Sequence, residues 1–545
     1  MKQNIFLIIS LSFLLIFSTS CVDDLNQNPT DPDLFTEVDV YSSPEQALGA
    51  LAKVYAGLAL TGQQGPAGQP DIDGSIIDEG FSQYTRIMWN LNEATTDHGV
   101  IGWLSDPGVP EINQLTWDAN NPWTKGMYYR MAQNISFANS FIENAAELAQ
   151  SHSSVVDYVN EARFIRAYCY TQLIDMFGDV PLVTAVSAEL PSQATRSELF
   201  SFVENELTDL ANVLPSSGTN EYGRVDQTAA SALMSRLYLN AEVYTGQSRF
   251  SEAITQAENA MSGSYSINNS DGNNNGTAYD ELFLADNNSN GAQNEFIFVL
   301  QFDGIKTQTW GGATFIVHAP IGGTMNAADF GVNGGWGGLR TTKGLVDKFS
   351  YSITQNNADG EPISWSDPRA MFHTDGQTYE TEKLATFKSG YAVTKFKNVD
   401  TNGVAGSDSA GNHPDTDLAL IRLAEVYLNY AEAVARGGGG SIQTATSYIN
   451  ELRTRAGAPT ITSSEFNIEL VMDERSRELY WEGLRRSDLI RDGKFVSGAY
   501  LWPYKGGAAN GTGVSSHLKL FPIPEDVLLV NPNMKQNPNY KLWKH

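Results

Sequence analysis

Paired amphipathic helices are the feature that most constrains how this chain can fold. Residues 223–262, "GRVDQTAASALMSRLYLNAEVYTGQSRFSEAITQAENAMS", place apolar side chains three or four positions apart on both sides of a short turn. This spacing predicts two helices, each with one apolar stripe to bury. Residues 418–457 repeat the pattern around a glycine-rich turn, and residues 123–148 and 155–177 predict further amphipathic helices. The sequence therefore predicts a helical scaffold.

Small residues at closely approaching helix faces, here Ala241 and Ala431, make these hairpins resemble tetratricopeptide units. The hairpins are not contiguous in sequence, so we expect a repeat that is interrupted by insertions near residues 62–121 and 263–417. The second insertion is rich in Gly, Asn, Ser and Thr, with short β-like runs at residues 295–302 and 313–320. The predicted fold class is mainly α, with helical hairpins that carry large irregular insertions with short strands.

The N-terminal residues have the pattern of a processing signal. An almost wholly apolar run at residues 5–17 follows Lys2, and it is too short to cross a hydrocarbon core of ~30 Å. We interpret residues 1–20 as a secretory signal, although an ordinary buried N-terminal helix is the alternative. Three small residues then precede Cys21, which resembles a bacterial lipobox, with Ser18 in place of the usual Leu. This predicts that Cys21 is lipidated and anchors the chain to a membrane.

Residues 21–40 are predicted to be a flexible acidic tether, followed by a single domain over residues 41–545. Asp23 and Asp24 resemble the acidic signal that sends Bacteroidetes lipoproteins to the cell surface. The alternative is a tether with no sorting role. The predicted location is therefore the outer membrane, with the protein lipid-anchored and exposed at the cell surface.

Composition excludes several classes of partner. The net charge of −28 over 545 residues argues against nucleic acid, because its binders neutralise phosphates with Lys and Arg. The same charge disfavours polyanionic substrates such as sulfated glycans. No second apolar run approaches the ~20 residues that a transmembrane helix needs. With Cys21 lipidated, only Cys169 remains, so no intrachain disulfide is expected.

Two C-terminal segments carry a family resemblance. "MDERSRELYWEGLRRSDLIRDGKF" at residues 472–495 resembles the ER-x-x-EL-x-x-EG-x-R-x-x-DL-x-R-x-G signature of SusD/RagB proteins. "FPIPEDVLLVNPNMKQNPNY" at residues 521–540 resembles their PIP…NP…QNP-x-Y segment, and residues 161–183 and 335–350 resemble two further family stretches. Together with the lipoprotein start, the resemblance covers essentially the whole chain.

The resemblance implies a SusD-like fold with four tetratricopeptide-like hairpins, and a non-catalytic glycan-binding lipoprotein. Its implied partner is a SusC-like TonB-dependent outer-membrane transporter, to which it delivers oligosaccharides. Two alternatives stay open: a peptide-binding uptake lipoprotein of the RagB type, and a surface glycoside hydrolase. The charge favours a neutral polymer, and the strong acidity suggests a saline habitat, so a β-glucan such as laminarin is the predicted ligand.

The charged residues of the signature predict a structural network. Glu474, Arg477 and Glu478 lie within three or four residues of each other on a predicted helix, as do Glu482 and Arg486. An acid pair for catalysis is disfavoured, because nearby Arg keeps carboxylates ionised. We expect the network to hold the C-terminal helices against the repeat.

No cofactor or transition-metal site is predicted, since the seven histidines include no H-E-x-x-H and no close pair. Asp271, Asn273 and Asn275 follow the opening positions of a calcium loop, but its twelfth residue is Leu282 rather than Glu. A solvated Asn/Gly turn is the favoured interpretation, and a structural calcium ion is the weaker hypothesis.

Tryptophans in the insertions are the candidate ligand platforms, because sugars present a flat face of C–H groups that packs against an aromatic ring. We expect the site where residues 89–121 meet residues 305–340. Each tryptophan has a packing role as its alternative. The candidate stacking residues are Trp103, Trp117, Trp310 and Trp336, and the candidate hydroxyl partners, chosen by neighbourhood, are Asp97, His98, Asn113 and Arg340.

Overall fold

Helices form the scaffold of this protein, and the computed structural model describes residues 37–66 and 68–540. The helices are α1 (Glu37–Val40), α2 (Pro44–Ala59), α3 (Tyr84–Asn92), α4 (Val109–Gln114), α5 (Pro122–Asn144), α6 (Ala146–Ala149), α7 (Ser153–Met176), α8 (Arg196–Val213), α9 (Gln227–Leu239), α10 (Ala241–Thr245), α11 (Phe250–Met261), α12 (Gly312–His318), α13 (Lys343–Val346), α14 (Leu423–Ala435), α15 (Ile442–Ala456), α16 (Ile468–Leu479), α17 (Arg485–Arg491) and α18 (Glu525–Val530). The predicted signal, Cys21 and most of the tether lie outside the described residues. The last four residues of the predicted tether form α1.

Ten short strands accompany the helices and pair two by two, always antiparallel, within the described residues. They are β1 (Val100–Ile101), β2 (Val180–Pro181), β3 (Gln193–Ala194), β4 (Phe296–Leu300), β5 (Leu339–Arg340), β6 (Ile353–Asn356), β7 (Pro362–Trp365), β8 (Phe372–His373), β9 (Ala392–Val393) and β10 (Leu418–Arg422). The pairs are β1–β5, β2–β3, β4–β10, β6–β7 and β8–β9. Each sheet therefore joins only two short segments, and the strands do not form a layer of the fold.

Side chains next to the helices fix where several of them begin and end. The Thr195 side chain accepts a hydrogen bond from the Glu198 backbone, and Glu198 reaches back to Thr195, which closes a capping box at the start of α8. Ser441 caps the start of α15, and Gly457 ends it in the left-handed region at φ 74°. These signals stop each helix at the turn that lets the next helix fold back.

Neighbouring helices pack in pairs and the pairs stack. The main pairs are α5 with α7, α7 with α8, α8 with α9, α9 with α11, and α14 with α15, and α11 also packs against α14. Ala241 and Ala431 are fully buried, as predicted for positions where helices approach closely. The mainly α fold of helical hairpins with irregular insertions is confirmed.

Three local predictions are wrong. Residues 313–320 form most of helix α12 instead of a strand, because a short apolar run does not distinguish a buried strand from a buried helix. Residues 418–422 form strand β10 before the helical hairpin begins. The insertion at residues 62–121, read as loop-like, contains helices α3 and α4, and its Trp89 is a core residue.

A buried ion-pair network joins the C-terminal helix α16 to the rest of the chain. Glu474 pairs with Arg369, Arg453 and Arg477 at 2.7–2.8 Å, and all four side chains are buried. Glu478 pairs with Arg422 at 2.7 Å, with Arg369 at 3.2 Å, and with Arg455. The predicted network around Glu474, Arg477 and Glu478 is confirmed. The predicted grouping of Glu482 with Arg486 is wrong, because Glu482 lies beyond the end of α16 and pairs with Lys395 and Arg422, whereas Arg486 donates to the Lys519 carbonyl.

The network keeps its carboxylates ionised. Burial alone raises the pKa of Glu478, but Arg455, Arg422 and Arg369 outweigh it and lower the pKa to about 2. The same balance lowers the pKa of Glu474. Neither group is therefore poised to donate a proton near neutral pH.

Replacing Glu478 by Gln should destabilise the protein, because three buried guanidinium groups lose one anionic partner. We expect a loss of about 3–5 kcal/mol in the free energy of unfolding at neutral pH. Since the folded pKa of Glu478 lies below its ordinary 4.5, its stabilisation is complete above about pH 4.5 and is lost as the pH falls towards about 2. Urea unfolding of both proteins across this range should show the difference shrinking in acid.

Glu469→Gln is the matched control, because Glu469 lies on the same helix but is exposed, and pairs with Lys494 at the surface. Surface pairs contribute little, so this variant should unfold like the wild type. Equal, small effects of the two substitutions would contradict the role given to the network.

Candidate functional site

The two insertions that carry the candidate tryptophans meet at a short sheet. Strand β1 pairs with strand β5, with Val100 opposite Arg340 and Ile101 opposite Leu339. The ladder continues where the Gly102 N–H donates to the Gly338 carbonyl at 2.8 Å. Residues 89–121 and residues 305–340 therefore meet at this sheet, and a ligand site at this place stays a prediction.

Trp103 and Trp336 lie side by side just beyond this sheet. Their ring centroids are 6.3 Å apart and the ring planes are inclined by 53°. The Trp103 indole N–H donates to the Trp336 carbonyl at 3.3 Å, which fixes the first ring against the backbone of the second. Both side chains are partly exposed, so they present an angled aromatic surface to solvent.

The Trp336 ring is supported from beneath by His318. The two rings stack at 5.2 Å with an angle of 20° between their planes. The ring nitrogens of His318 lie 2.7 Å from the Gly334 carbonyl and 2.9 Å from the Asn412 carbonyl. Burial lowers the pKa of His318 and outweighs these two carbonyl contacts, which act to raise it.

Glycine on both sides of Trp336 allows these contacts. A Cβ at Gly338 would lie 2.0 Å from the Trp103 ring, and a Cβ at Gly335 would lie 2.2 Å from the Ile321 carbonyl oxygen. Neither distance is compatible with a side chain. The "GGWGG" run at residues 334–338 is therefore a close-packed support for two rings.

Trp310 forms a third partly exposed ring nearby. Its ring lies 5.0 Å from that of His413, and its carbonyl accepts a hydrogen bond from Arg86 at 3.2 Å. The guanidinium of Arg86 also lies 4.9 Å from the centre of the Phe315 ring, and Phe315 lies 6.5 Å from the Trp103 ring. Helix α12 thus supports Trp103 through Phe315 and Trp336 through His318, and Trp310 lies two residues before the helix begins.

Five of the predicted ligand residues are placed elsewhere. They are buried, and their hydrogen-bonding groups are used by the protein itself: Asp97, His98, Asn113, Trp117 and Arg340. Because each is no more than 3% exposed, the structure removes them from the surface that a ligand can reach. Of the predicted set, Trp103, Trp310 and Trp336 remain candidates.

Each of the five has an identifiable structural role. Asp97 pairs with Arg485 at 2.7 Å and accepts a hydrogen bond from the Tyr500 hydroxyl. Burial raises the pKa of Asp97, but Arg485 outweighs burial, so the pKa is lowered overall. His98 lies between Glu93 and Ser476. Asn113 bonds both backbone groups of Ile101, and Trp117 donates to Tyr540. Arg340 donates to the carbonyls of Gly338, Leu384 and Ser389.

The calcium hypothesis finds a loop that is closed by its own hydrogen bonds. The Asp271 carboxylate accepts from the backbone of Asn275 and Gly276, and the amides of Asn273 and Asn275 donate to Asp280. No group of three or more His, Cys, Asp or Glu within the described residues is arranged to hold a metal. The structural calcium ion stays a hypothesis.

Sequence reasoning missed the residues that support the tryptophans. Phe315 and His318 belong to the run that was read as a strand, and their three-residue spacing is the one signal that places them on one helix face. No sequence pattern marks Arg86 and His413 as neighbours of Trp310, because these contacts join segments that are far apart in sequence.

The fold is a helical-repeat scaffold with an aromatic surface on its insertions. Comparison with known proteins identifies the class of protein to which this combination belongs. The profile described as SusD family matches residues 373–540, and one described as starch-binding associating with outer membrane matches residues 51–239. The starch-binding protein SusD of Bacteroides thetaiotaomicron is 33% identical over 96% of each chain. The chain therefore belongs to the SusD family, as its motifs predicted.

Solved structures show the same fold. A SusD-like protein of Bacteroides fragilis has a TM-score of 0.68 and 20% identity, covering 94% of this chain and 100% of its own. A laminarin-binding SusD-like protein has a TM-score of 0.66 and 20% identity, covering 91% of this chain and 99% of its own. Among the described residues, no helix is long and apolar enough to cross a membrane.

Proposed function

We propose that this protein captures neutral glucan chains at the cell surface and does not cleave them. The observation that carries the proposal is the angled pair of Trp103 and Trp336, which is partly exposed and rigidly supported. Aromatic rings of this kind pack against the C–H faces of sugars. Trp310 is also partly exposed and lies two residues before helix α12.

The angle between the rings favours a chain that turns. A straight, flat polysaccharide cannot lie against two planes inclined by 53°, whereas coiled glucans such as starch and laminarin present sugar faces that change direction along the chain. The relative that is named for starch binding is 33% identical, and the neighbour named for laminarin binding is 20% identical. A starch-type α-glucan is therefore the first candidate, and laminarin is the second.

The net charge and the ionised state of the signature carboxylates support the other two parts of the proposal, which are that the ligand is neutral and that it is not cleaved. The net charge of −28 opposes polyanionic ligands, so a neutral chain is the better fit. The carboxylates of the family signature are held ionised by arginines, and Glu478 has a pKa of about 2, which does not suit a glycosidase acid. The related proteins are likewise named for binding.

Single substitutions of the two central rings test the site. Trp103→Ala and Trp336→Ala should each weaken binding of maltoheptaose, because a lost aromatic platform costs on the order of 1–3 kcal/mol, or roughly five- to a hundredfold in affinity. Trp103→Phe and Trp336→Phe keep an aromatic face and should recover part of the affinity. Calorimetry measures the affinities, and melting curves exclude misfolding.

The same titrations separate the alternatives. Laminarin, a cellulose-type oligosaccharide and an unrelated peptide are tested alongside, and the flat chain should bind most weakly. Wild-type affinity in folded alanine variants would place the site elsewhere. Release of reducing sugar by the purified wild type would favour the hydrolase, and tight peptide binding would favour the RagB-type alternative.

We also propose that Cys21 anchors the protein to the outer membrane at the cell surface. Support comes from the lipobox-like sequence and from the family description that names association with the outer membrane. Because acylation needs the thiol, Cys21→Ala should release the protein from membranes, as measured by fractionation and by palmitate labelling. Unchanged sedimentation and labelling of the variant would contradict the anchor.

The proposed partner is a SusC-like TonB-dependent transporter, which receives the captured oligosaccharide. Membership of the SusD family supports this proposal. Affinity purification of the tagged wild-type protein from detergent-solubilised outer membranes should recover such a transporter in stoichiometric amount. Recovery of the bait alone under conditions that preserve other outer-membrane complexes would contradict the partnership.

A further inference from the structure

A further aromatic ring, Phe387, packs beside Trp336 on a floor of glycines. A Cβ at Gly322 would lie 2.9 Å from the Phe387 ring, and a Cβ at Gly337 would lie 3.8 Å from it. The ring therefore rests on backbone that has no side chains, directly next to the residue that follows Trp336. Phe387 is partly exposed, so part of its ring faces solvent.

The segment that carries Phe387 is held firmly. Arg340 is fully buried and donates to the carbonyl of Ser389 at 3.0 Å, to that of Gly338 at 3.1 Å, and to that of Leu384. One guanidinium thus joins both sides of Phe387 to the strand that follows the Trp336 loop. Burial lowers the pKa of Arg340 to about 10, although Tyr504 raises it, so the group stays charged at neutral pH.

Polar side chains tie the same segment to the glycine floor. Gln377 donates to the Phe387 carbonyl at 3.0 Å. The Thr324 hydroxyl lies 2.8 Å from a ring nitrogen of His373 and donates to the Asp375 carbonyl at 2.9 Å. Thr324 is exposed, and Gln377 and His373 are partly exposed, so groups that can bond to sugar hydroxyls surround the ring.

This arrangement differs from ordinary core packing. A buried charge that bonds to carbonyl oxygens is an expensive way to hold a surface segment unless the position of that segment matters. A partly exposed phenylalanine also gives up part of the free energy that full burial would provide. Both features are accounted for if Phe387 contacts a ligand.

We propose that Phe387 is a further sugar platform of the same site, next to Trp336, so that the site contacts a longer stretch of glycan than the tryptophans reach. The proposal rests on the proposed glucan-binding function. It predicts that affinity rises with chain length up to the length that reaches Phe387. Shorter oligosaccharides should bind through the tryptophans alone.

A ladder of maltooligosaccharides tests this on the wild type, Phe387→Ala and Trp336→Ala. Phe387→Ala should bind the shortest ligand that the wild type binds with unchanged affinity, and should lose roughly five- to a hundredfold on the longest ones. Trp336→Ala should weaken binding at every length. Phe387→Tyr keeps the ring and should restore the dependence on length.

Phe466→Ala is the matched control, because Phe466 is also a partly buried loop phenylalanine but lies elsewhere in the chain, two residues before α16. It should bind the whole ladder like the wild type. If Phe387→Ala does so as well while Trp336→Ala weakens binding, the additional platform is wrong and the glucan site stands. If neither variant changes binding at any length, the proposed function itself fails at this site.

Discussion

The pairing of α16 carboxylates with buried arginines is the interaction on which the rest of the structure depends. Glu474 and Glu478 face arginines from three different parts of the chain: Arg369 in the large insertion, Arg422 at the end of β10, and Arg453 and Arg455 on α15. An ion pair that is removed from water contributes only when each charge keeps its partners. The insertion, the strand and the last hairpin must therefore assemble together.

From this network the position of the binding surface follows step by step. Arg422 also pairs with Glu295 at 2.8 Å, which places the start of β4 against β10. Helix α12 follows β4 in the chain and packs against α3. The tryptophans are then arranged around α12, so a surface made of loops inherits the rigidity of the helical scaffold. This is the usual division of labour between scaffold and binding loops.

The sequence predicted the scaffold better than the site, and the reason is physical. Helical periodicity and the charged signature act over three or four residues, so they can be read directly from the chain. Burial at the site depends on contacts between distant segments. Asp97 has the neighbourhood of a sugar-binding carboxylate, yet Arg485, nearly four hundred positions away, takes it into an ion pair.

For the tryptophans, residue type and polar surroundings predicted partial exposure more successfully than they did for the polar candidates. Three of the four are partly exposed and are gathered around α12, whereas Trp117 donates to Tyr540 near the C-terminus. The sequence around Trp117 resembles that around Trp103, since each lies in a stretch rich in small or polar residues, with Gly102 and Asp106 near Trp103, and Asp118 and Asn120 near Trp117. Phe387 was missed because a single phenylalanine in a polar stretch carries no periodic signal.

The glycine-rich texture of the insertions has a more specific cause than chain flexibility. Gly338 is required by the Trp103 ring, Gly322 by the Phe387 ring, and Gly335 by the backbone at Ile321. Rings that lie on bare backbone keep part of their surface free for a ligand, whereas side chains beneath them would lift or tilt them. Composition that indicates loops is thus also the composition that a rigid aromatic surface needs.

Charge completes the case for a neutral ligand. Buried arginines and lysines are matched by a similar set of buried aspartates and glutamates within the described residues, so the interior is close to neutral. The excess of −28 therefore lies mainly on the surface, where it repels polyanions over about 10 Å at ordinary ionic strength. A glucan carries no charge, so the negative surface charge neither attracts nor repels it. For the proposed glucan ligand, affinity would come from ring stacking and hydroxyl contacts at the proposed surface around Trp103, Trp336 and Phe387.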